Sequence, residues 1–371
     1  MTSELTARQA FLILNGLPGV GPAAVRQLLE AAGGDPRTFL DPGRRPPAGL
    51  RPEAVEALAH WERHFNLARE EERLAQSGAA AVLRDDPEYP TLLREIADAP
   101  TVLYRQGALA GGHPCIAIVG SRRTTLYGQT VAAKLGAELA QRGFCIVSGL
   151  ARGIDTAAHE GALQAGGKTA AVLGTGLDIV YPPENLELVR RVAQTGAVYS
   201  EYPFGRRADR HTFVLRNRIV SGMAAAVVVV ESAVDGGAMI TARFAGEQGR
   251  TVFAVPGRID QSTSAGCHQL IRDGATLVTG VEDILAELNY LGGLQPAPIP
   301  EQTEGGRTRG GDLTAEERAI LGAFRGGEIL TADALAGLTG LPADRIAAAL
   351  LMLEIKRRLA KRPDGAYEAA A

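Results

Sequence analysis

Strand-like and helix-like segments alternate along this chain from about residue 80 to residue 290. Apolar runs such as CIAIVG, FCIVSG, AAAVVVVE and TVFAVPG recur there, and several are apolar on both faces. Parallel strands carry such runs because their crossover helices cover both faces of the sheet. Helical stretches such as GQTVAAKLGAELAQRG lie between the runs and are closed by glycine. The pattern predicts an α/β fold with an extended, Rossmann-like, doubly wound and mainly parallel sheet over residues 79–290.

Two helical segments flank this predicted sheet. Residues 1–78 contain short helices separated by Gly and Pro, and the stretch LNGLPGVGPAAVRQLLE has the form of a helix-hairpin-helix within a SAM-like domain. Its Gly-Val-Gly turn either offers backbone amides to a phosphate or is only a tight turn. Residues 291–312 are rich in Gly and Pro without apolar periodicity, which predicts a linker.

The last segment, residues 313–371, predicts three helices and a Pro-Asp-Gly hairpin, which together suggest a winged helix. Two of its helices begin after a Thr that can cap them. The stretch RIAAALLMLEIKRRLAKR corresponds to the recognition helix and wing of such a domain. Two interpretations remain open for this domain, because its basic end suits either duplex DNA or a partner protein.

Composition limits the classes of function. The net charge of the 371 residues is −3, so any nucleic-acid site must be a local cluster of cations. The three cysteines form no C-x-x-C pair, which argues against a structural zinc and fits a reducing compartment. No basic-then-apolar leader opens the chain, and the apolar run at 224–230 is far shorter than a membrane span. We therefore expect a cytoplasmic protein without membrane contact, metal or cofactor.

Arginines follow the predicted strands, at the edge where parallel sheets bind ligands. Gly120 ends the first strand of the domain, and Ser121, Arg122 and Arg123 stand where a dinucleotide fold has glycines. Further cations come after the later strands, namely Arg152, Arg206, Arg207, Arg210, Arg216, Arg218, Arg243 and Arg258. Arginine clamps phosphates through its fork geometry, and small residues let backbone amides face an anion. Individually such arginines are often surface ion pairs, but as a set they predict a site for an extended anionic polymer.

Several motifs in order along this domain resemble the DNA-processing protein A (DprA/Smf) family. They include AIVGSRRTTLYG, IVSGLARGIDTAAHEGAL, AVLGTGLDIVYPPEN, SEYPFG, RNRIVSGM and VFAVPGRIDQSTSAGCHQLI. The resemblance implies a homodimer that binds single-stranded DNA through its Rossmann fold. It also implies that the protein protects incoming DNA and loads the RecA recombinase during natural transformation, in competent cells. We further expect that it is not an enzyme, because no local motif combines a nucleophile, a base and an orienting acid.

The resemblance implies that Gly120, Ser121 and Arg122 contact DNA phosphates, together with a basic surface around Arg206, Arg207, Arg216 and Arg218. With the other polar and glycine positions of the same loops, the predicted DNA-binding set is Gly120, Ser121, Arg122, Arg123, Gly149, Arg152, Gly153, Arg206, Arg207, Arg210, Arg216, Asn217, Arg218, Gly237 and Thr241. Four aromatic residues close to these arginines are candidates for stacking on bases, namely Tyr181, Tyr202, Phe204 and Phe213.

Two alternatives use the same sheet edge for a small ligand. The first is a nucleotide-binding sensor that reports through the winged helix. The second is a nucleoside-phosphate hydrolase, because VVVVESAVDGGAMITA loosely resembles the phosphate loop of related enzymes; such enzymes need a carboxylate just after the loop, where the nearest downstream one is Glu247. His159 lies four residues after Asp155 on a predicted helix, and we expect it to cap the SGLARGID turn, since no nucleophile accompanies it.

Overall fold

A computed structural model describes residues 5–41, 43–290, 313–324, 329–356, 358–362 and 365–369. The predicted linker at 291–312 lies outside the described residues. The chain divides into two compact units. The larger unit holds the N-terminal helices and the large sheet, and the smaller one holds the C-terminal helices together with residues 125–131. Each is described by itself.

The described residues of the N-terminal segment form five α-helices: α1 (Ala7–Gly16), α2 (Pro22–Ala31), α3 (Pro52–Ala59), α4 (Trp61–His64) and α5 (Leu67–Ser77). Thr6 begins α1 with a capping box, in which its side chain and that of Gln9 each accept the other's backbone N–H. The apolar faces of these helices share one hydrophobic cluster with Val102 and Tyr104 of the adjoining sheet. Burial of these side chains therefore joins the helices and the sheet into one unit.

The large sheet has nine strands among the described residues: β1 (Ala80–Leu83), β2 (Val102–Gly107), β3 (Cys115–Val119), β4 (Cys145–Ser148), β5 (Thr169–Leu173), β6 (Ala197–Ser200), β7 (Ala226–Val229), β8 (Thr251–Ala254) and β9 (Thr276–Leu277). Their order is β1-β2-β6-β5-β4-β3-β7-β8-β9. Neighbouring strands in the series β6-β5-β4-β3-β7-β8-β9 pair in parallel. The strand β2 is antiparallel to both of its neighbours, β1 and β6. Every residue of β3 to β7 is buried, as their apolar runs predict.

Helices cover this sheet: α6 (Thr91–Arg94), α7 (Leu126–Gln141), α8 (Ile154–Gln164), α9 (Leu186–Thr195), α10 (Arg210–Met223), α11 (Gly237–Glu247), α12 (Ala265–Arg272) and α13 (Val281–Tyr290). Short 3-10 turns occur at Thr38–Leu40, Pro183–Asn185 and Ser262–Ser264. The predicted α/β class with a mainly parallel sheet is confirmed. The sheet runs outward from β3 in both directions, so β3 and β7 flank the point where the strand order reverses.

The smaller unit contains α14 (Ala315–Ala323), α15 (Ala332–Thr339) and α16 (Ala343–Ile355), with a sheet of β10 (Ile329–Leu330), β11 (Leu359–Lys361) and β12 (Tyr367–Ala369). Its strands pair antiparallel in the order β10-β12-β11. The side chains of Thr314 and Thr331 cap α14 and α15, as predicted. Ile320, Leu335 and Leu353 are fully buried in its core. The predicted winged helix is confirmed.

No single helix among the described residues has the length and apolar character to cross a membrane. The helices α15 and α16 pass that test only as a pair, and they are bent by 113° relative to each other.

Candidate nucleic-acid interface

The crevice at the reversal of strand order, where Rossmann folds bind nucleotides, is occupied by Glu231. This residue follows β7, and its backbone carbonyl accepts a hydrogen bond from the Ser121 N–H at 2.7 Å. Its carboxylate accepts another from the Thr124 hydroxyl at 2.6 Å, and the residue is 2% exposed. A buried acidic side chain therefore stands where related folds hold a pyrophosphate.

Close packing requires glycine at the end of β3. A Cβ atom on Gly120 would lie 2.5 Å from Cγ1 of Ile154 and 2.9 Å from the carbonyl oxygen of Glu231. The next residues turn away from the sheet, and the Ser121 hydroxyl accepts a hydrogen bond from the Arg123 N–H at 3.0 Å. Arg122 and Arg123 are both exposed. The loop therefore presents two cations above a backbone that packing holds in place.

The loop after β4 lies against the loop after β3. Gly153 has a φ of +80°, and a Cβ atom there would lie 2.4 Å from the carbonyl oxygen of Ser121. Leu150 also has a positive φ, of 59°, in the left-handed region that costs a residue with a Cβ atom about 1–2 kcal/mol. The Asn185 side chain donates to the Leu150 carbonyl at 2.9 Å and so stabilises this conformation.

Asp155, at the start of α8, holds the loop after β4. Its carboxylate accepts hydrogen bonds from the backbone N–H groups of Gly149 and Ala151, at 3.1 and 3.2 Å. Burial raises the pKa of Asp155, and the charge of Arg216 opposes that rise. The capping role that we predicted for His159 is wrong, because its Nδ1 instead lies 2.6 Å from the hydroxyl of Thr169 on β5. Burial lowers the pKa of His159 to about 3, so its ring is neutral.

Arg216 forms the floor beneath these loops. Its guanidinium donates hydrogen bonds to the carbonyls of Gly149 and Val172, and the residue is 3% exposed. Burial lowers the pKa of Arg216 to about 10, although the charge of Asp155 counteracts it. A Cβ atom on Gly149 would lie 2.2 Å from its Nη1. Our prediction of Arg216 on an open basic surface is corrected: long as it is, its side chain turns inward because carbonyls bind its charge there.

A shallow cleft opens above this floor. It is lined by Arg122, Gly149, Ala151, Arg152, Tyr181, Pro182, Phe213 and Arg216. The ring centroids of Tyr181 and Phe213 are 5.3 Å apart, with the planes inclined by 51°. The Arg122 guanidinium carbon lies 5.3 Å from the centroid of Phe213, within the range of a cation–π contact. Cations and aromatic faces therefore meet in one cleft.

The loop after β6 adds three further arginines to this edge. Arg206, Arg207 and Arg210 are exposed, and the N–H of Gly176 in the neighbouring loop donates to the Arg206 carbonyl at 2.9 Å. Asp209 caps α10 by accepting hydrogen bonds from the N–H groups of His211 and Thr212, at 2.8 and 2.9 Å. These bonds hold the pKa of Asp209 below its usual value.

The exposed arginines differ in whether they have an acidic partner. Arg152 pairs with Glu184, and Arg206 pairs with Asp209 at 2.6 Å. Exposed pairs of this kind contribute little to stability, so a phosphate can replace the carboxylate. Within the described part of the chain, four of these arginines form no ion pair, namely Arg122, Arg123, Arg207 and Arg210. Their charges are available to a ligand.

Three predicted contacts are not presented at this edge. Arg218 is 4% exposed and forms a buried pair with Glu201, and its Nε lies 3.1 Å from Asp98. Thr241 is 2% exposed within α11. The predicted surface positions of both residues are therefore wrong, because a buried carboxylate binds one and helix packing encloses the other. Phe204 is also buried, against Tyr104 at 5.8 Å, and offers no face to a base.

Asn217 and Gly237 lie together, apart from the residues that line the cleft. The Asn217 side chain donates to the Gly237 carbonyl at 3.3 Å and thereby links α10 to the first turn of α11. Gly237 is exposed. Tyr202, the remaining aromatic candidate, is half-buried beneath the guanidinium of Arg206 at 6.0 Å.

Sequence reasoning missed the residues that support the cleft. Asp155 and Glu184 are acidic, so a search for phosphate-binding cations does not select them. An acidic residue two positions after an Arg-Gly pair, between a strand and a helix, can nevertheless be recognised as an acceptor for the backbone N–H groups of the turn. In the helix-hairpin-helix turn, a Cβ atom on Gly19 would lie 3.1 Å from the backbone nitrogen of Ala54, whereas Gly21 is exposed and has nothing within 4 Å of its Cβ position. Among the residues described, no three His, Cys, Asp or Glu side chains come together as metal ligands.

A mainly parallel sheet with exposed arginines after its strands, in a chain that also carries a winged helix, defines an α/β protein with a basic sheet edge. The family described as DNA recombination-mediator protein A matches residues 80–289, and the DprA winged helix domain matches residues 307–365. The chain belongs to the DNA recombination-mediator protein A family, a family of DNA-processing proteins.

Several relatives agree with this assignment. Protein Smf of Synechocystis is 35% identical over 86% of this chain and 87% of its own length. DNA processing protein DprA of Streptococcus pneumoniae is 46% identical over 54% of this chain and 72% of its own length. Its crystal structure has a TM-score of 0.64 at 34% identity and covers 76% of this chain and 98% of that one. A Helicobacter pylori DprA structure is described for its single-stranded DNA binding mode. It has a TM-score of 0.51 at 28% identity and covers 57% of this chain and 96% of its own chain.

Proposed function

We propose that this protein binds single-stranded DNA along the edge formed by the loops after β3, β4, β5 and β6. The observation that carries the proposal is the cleft in which Arg122 lies over Phe213, beside Tyr181 and above the buried Arg216. Unpaired bases stack on aromatic faces, while arginines follow the phosphates. The H. pylori relative is described as binding single-stranded DNA.

The contacts divide between phosphates and bases. Arg122, Arg123, Arg207 and Arg210 have unpaired charges for phosphates, and Arg152 and Arg206 can exchange their carboxylates for phosphates. Tyr181 and Phe213 offer ring faces to a base. Gly120, Ser121, Gly149 and Gly153 provide the backbone close to the strand, and Asn217 and Gly237 extend the same edge. Phosphate contacts of this kind bind every sequence alike.

We propose that the bound strand is protected from nucleases and passed to the RecA recombinase during natural transformation, in the cytoplasm, by a homodimer. Support comes from membership of a family described as recombination mediators. The three cysteines are buried and free, which suits a reducing compartment. A dimer joins two edges into one longer binding track and raises avidity by effective concentration.

We propose binding without chemistry, in preference to a nucleotide sensor or a nucleoside-phosphate hydrolase. The buried carboxylate of Glu231 repels a pyrophosphate from the nucleotide crevice. Glu247, which a hydrolase would need beside the glycine loop, is exposed at the other end of α11, 3.7 Å from Arg243. The purified protein can be incubated with nucleoside monophosphates. If it released free base, and if Glu231→Gln abolished that release, the result would favour the nucleoside-phosphate hydrolase instead.

Fluorescence anisotropy with a labelled thymidine homopolymer tests the proposal. Arg122→Ala should weaken binding about tenfold, because an unpaired cation and its contact with Phe213 are both lost. The slope of log K against log salt should shrink by about 0.7, the value for one phosphate on a single strand. Arg272→Ala is the matched control. Arg272 is an exposed arginine at the end of α12, just before β9, and so lies towards the amino ends of the strands, opposite the proposed site.

Three results would count against the proposal. One is equal loss of affinity in Arg122→Ala and Arg272→Ala. Another is a loss that depends strongly on base identity. The third is equal affinity for single strands and for blunt duplex of the same length at the same salt concentration, because only unpaired bases can stack in the cleft.

A further inference from the structure

The loop after β6, residues 201–209, rests against the N-terminal helices. The Asn15 side chain on α1 donates a hydrogen bond to the Glu201 carbonyl at 2.8 Å. The ring of Phe204 is buried in the hydrophobic cluster of these helices, edge-on to Tyr104 with 5.8 Å between the ring centroids. These contacts bind the first half of the loop to the N-terminal helices, ahead of its two exposed arginines.

Glu70 on α5 makes a further contact with this loop. It is 5% exposed, whereas the adjacent Glu71 and Glu72 are exposed. Its carboxylate accepts a hydrogen bond from the buried N–H of Phe204 at 3.1 Å. Burial raises the pKa of Glu70, because the charged form loses its water, and this hydrogen bond opposes the rise. An apolar side chain would fill the same space without that cost, so what the carboxylate supplies is an acceptor for the N–H.

A second carboxylate holds the next residue of the loop. Gly205 has a φ of +85°, and its N–H donates a hydrogen bond to Asp178, in the loop after β5, at 2.8 Å. The Asp178 carboxylate lies 3.8 Å from the guanidinium of Arg73, one turn after Glu70 on α5. We call Glu70, Arg73 and Asp178 the loop clamp. Because the clamp binds two successive N–H groups, it fixes the direction in which the chain enters Arg206.

We infer that the loop clamp positions Arg206 and Arg207 for the phosphates of the bound strand, and that Glu70 does so through the Phe204 N–H and not through its charge. Since both arginines belong to the proposed DNA site, this inference rests on the proposed function. A loop that is held in one conformation before binding need not be ordered during binding, and such ordering costs affinity. The N-terminal helices thus contribute to DNA binding through the loop that they hold.

The charge of Glu70 by itself works against this role. A carboxylate beside the loop repels phosphates, so loss of the charge alone should strengthen binding. Glu70→Gln and Glu70→Met both remove the charge at nearly constant side-chain length, but only glutamine keeps an oxygen that can accept the Phe204 N–H. Comparison of these two variants therefore isolates the hydrogen bond.

Fluorescence anisotropy of full-length variants with a labelled thymidine homopolymer tests the role of the clamp. Glu70→Met should weaken binding about fivefold, because the released loop must be ordered when the strand binds. Glu70→Gln should bind within about twofold of the wild type, because the acceptor is retained. Glu72→Met is the matched control, since Glu72 is exposed on the same helix and accepts a hydrogen bond from Gln76, one turn further on. It should leave affinity unchanged.

Removal of the two arginines separates positioning from a general loss of stability. In an Arg206→Ala, Arg207→Ala background, Glu70→Met should cause less than about a twofold further loss, because the side chains that the clamp positions are gone. The full loss in this background would overturn the inference, as would equal affinities of Glu70→Gln and Glu70→Met. If Arg122→Ala weakens binding and Glu70→Met does not, the inference alone fails. If Arg122→Ala has no effect, the proposed function fails with it.

Asp178 offers a second variant in case Glu70→Met does not fold, because its side chain is 35% exposed and tolerates substitution more readily. Asp178→Ala removes the acceptor for the Gly205 N–H and should weaken binding several-fold, but not in the background without Arg206 and Arg207. Asp178→Asn keeps an acceptor oxygen and should bind like the wild type. Equal affinities of Asp178→Ala and Asp178→Asn, or an undiminished loss in the arginine-free background, would overturn the inference.

Discussion

The sheet edge and the exposed side of α16 are two surfaces that the sequence offers for nucleic acid, and the structure distinguishes them by the partners of their charges. At the edge, Arg122 and Arg207 are exposed without an ion pair to any described residue. In the winged helix, Lys356 is held by Glu317, and the outward side of the helix is apolar. A count of basic residues treats the two surfaces alike. Which cations are already paired, and what lies between them, decides what each surface can bind.

The largest combined effect, on stability and on DNA binding together, should come from a methyl group in the loop after β4. Gly153→Ala should lower the free energy of unfolding by about 2–4 kcal/mol, because it combines a positive φ with a contact 2.4 Å from the Ser121 carbonyl oxygen. It should also lower affinity for single-stranded DNA at temperatures where the protein stays folded, because the loop carrying Arg122 must shift. Urea titration and anisotropy give the two values.

Gly249→Ala is the matched control for that substitution. Gly249 has a φ of +69°, but nothing lies within 4 Å of the position that its Cβ atom would take. Gly249→Ala should therefore lower the free energy of unfolding by only about 1–2 kcal/mol and leave the affinity for single-stranded DNA unchanged. Equal destabilisation by the two substitutions would mean that the contact between the loops does not constrain the edge.

The stability of the sheet domain should depend on pH through the buried His159, which lies beside Thr169 of β5. Its pKa in the folded protein, about 3, lies below the ordinary histidine value of 6.5, so its contribution to stability is complete above pH 6.5. That contribution is lost as the pH falls from 6.5 to about 3, because the unfolded chain binds the proton first. The total is about 3–5 kcal/mol. His159→Asn should flatten the stability curve in this range, as urea titrations at several pH values can measure.

The winged helix provides an internal comparison for the same experiment, since residues 313–371 contain no histidine. Its unfolding should not change with pH through this mechanism. A wild-type slope between pH 6.5 and 3 that persisted unchanged in His159→Asn would assign the acid sensitivity to other groups and remove the difference between the two units.

The smallest effect should follow removal of residues 291–371. If the edge alone binds the strand, the truncated chain should keep its affinity for single-stranded DNA within about twofold, and it should remain a dimer in sedimentation experiments. A monomer would contradict the proposal that the Rossmann domain forms the dimer. A large loss of affinity would assign part of the DNA site to the winged helix, so that both surfaces would bind nucleic acid.

Much of the architecture was predictable because it depends on local patterns. Continuous apolar runs such as CIAIV predict buried parallel strands, and the structure buries every residue of β3. The Thr caps of α14 and α15 were likewise readable, because a cap depends on residues three positions apart. The convergence of the loops at one edge follows from the parallel order of the strands.

Only the tertiary structure decided which arginines face the solvent. Arg216 and Arg218 lie two positions apart on α10, and sequence alone does not separate them from Arg207 or Arg210. The fold brings Arg216 against the carbonyls of Gly149 and Val172, and Arg218 against Glu201, from distant parts of the chain. A long cationic side chain turns inward wherever distant residues supply carbonyl or carboxylate oxygens that replace its hydration. That exchange depends on contacts across the whole fold, so no local pattern contains it.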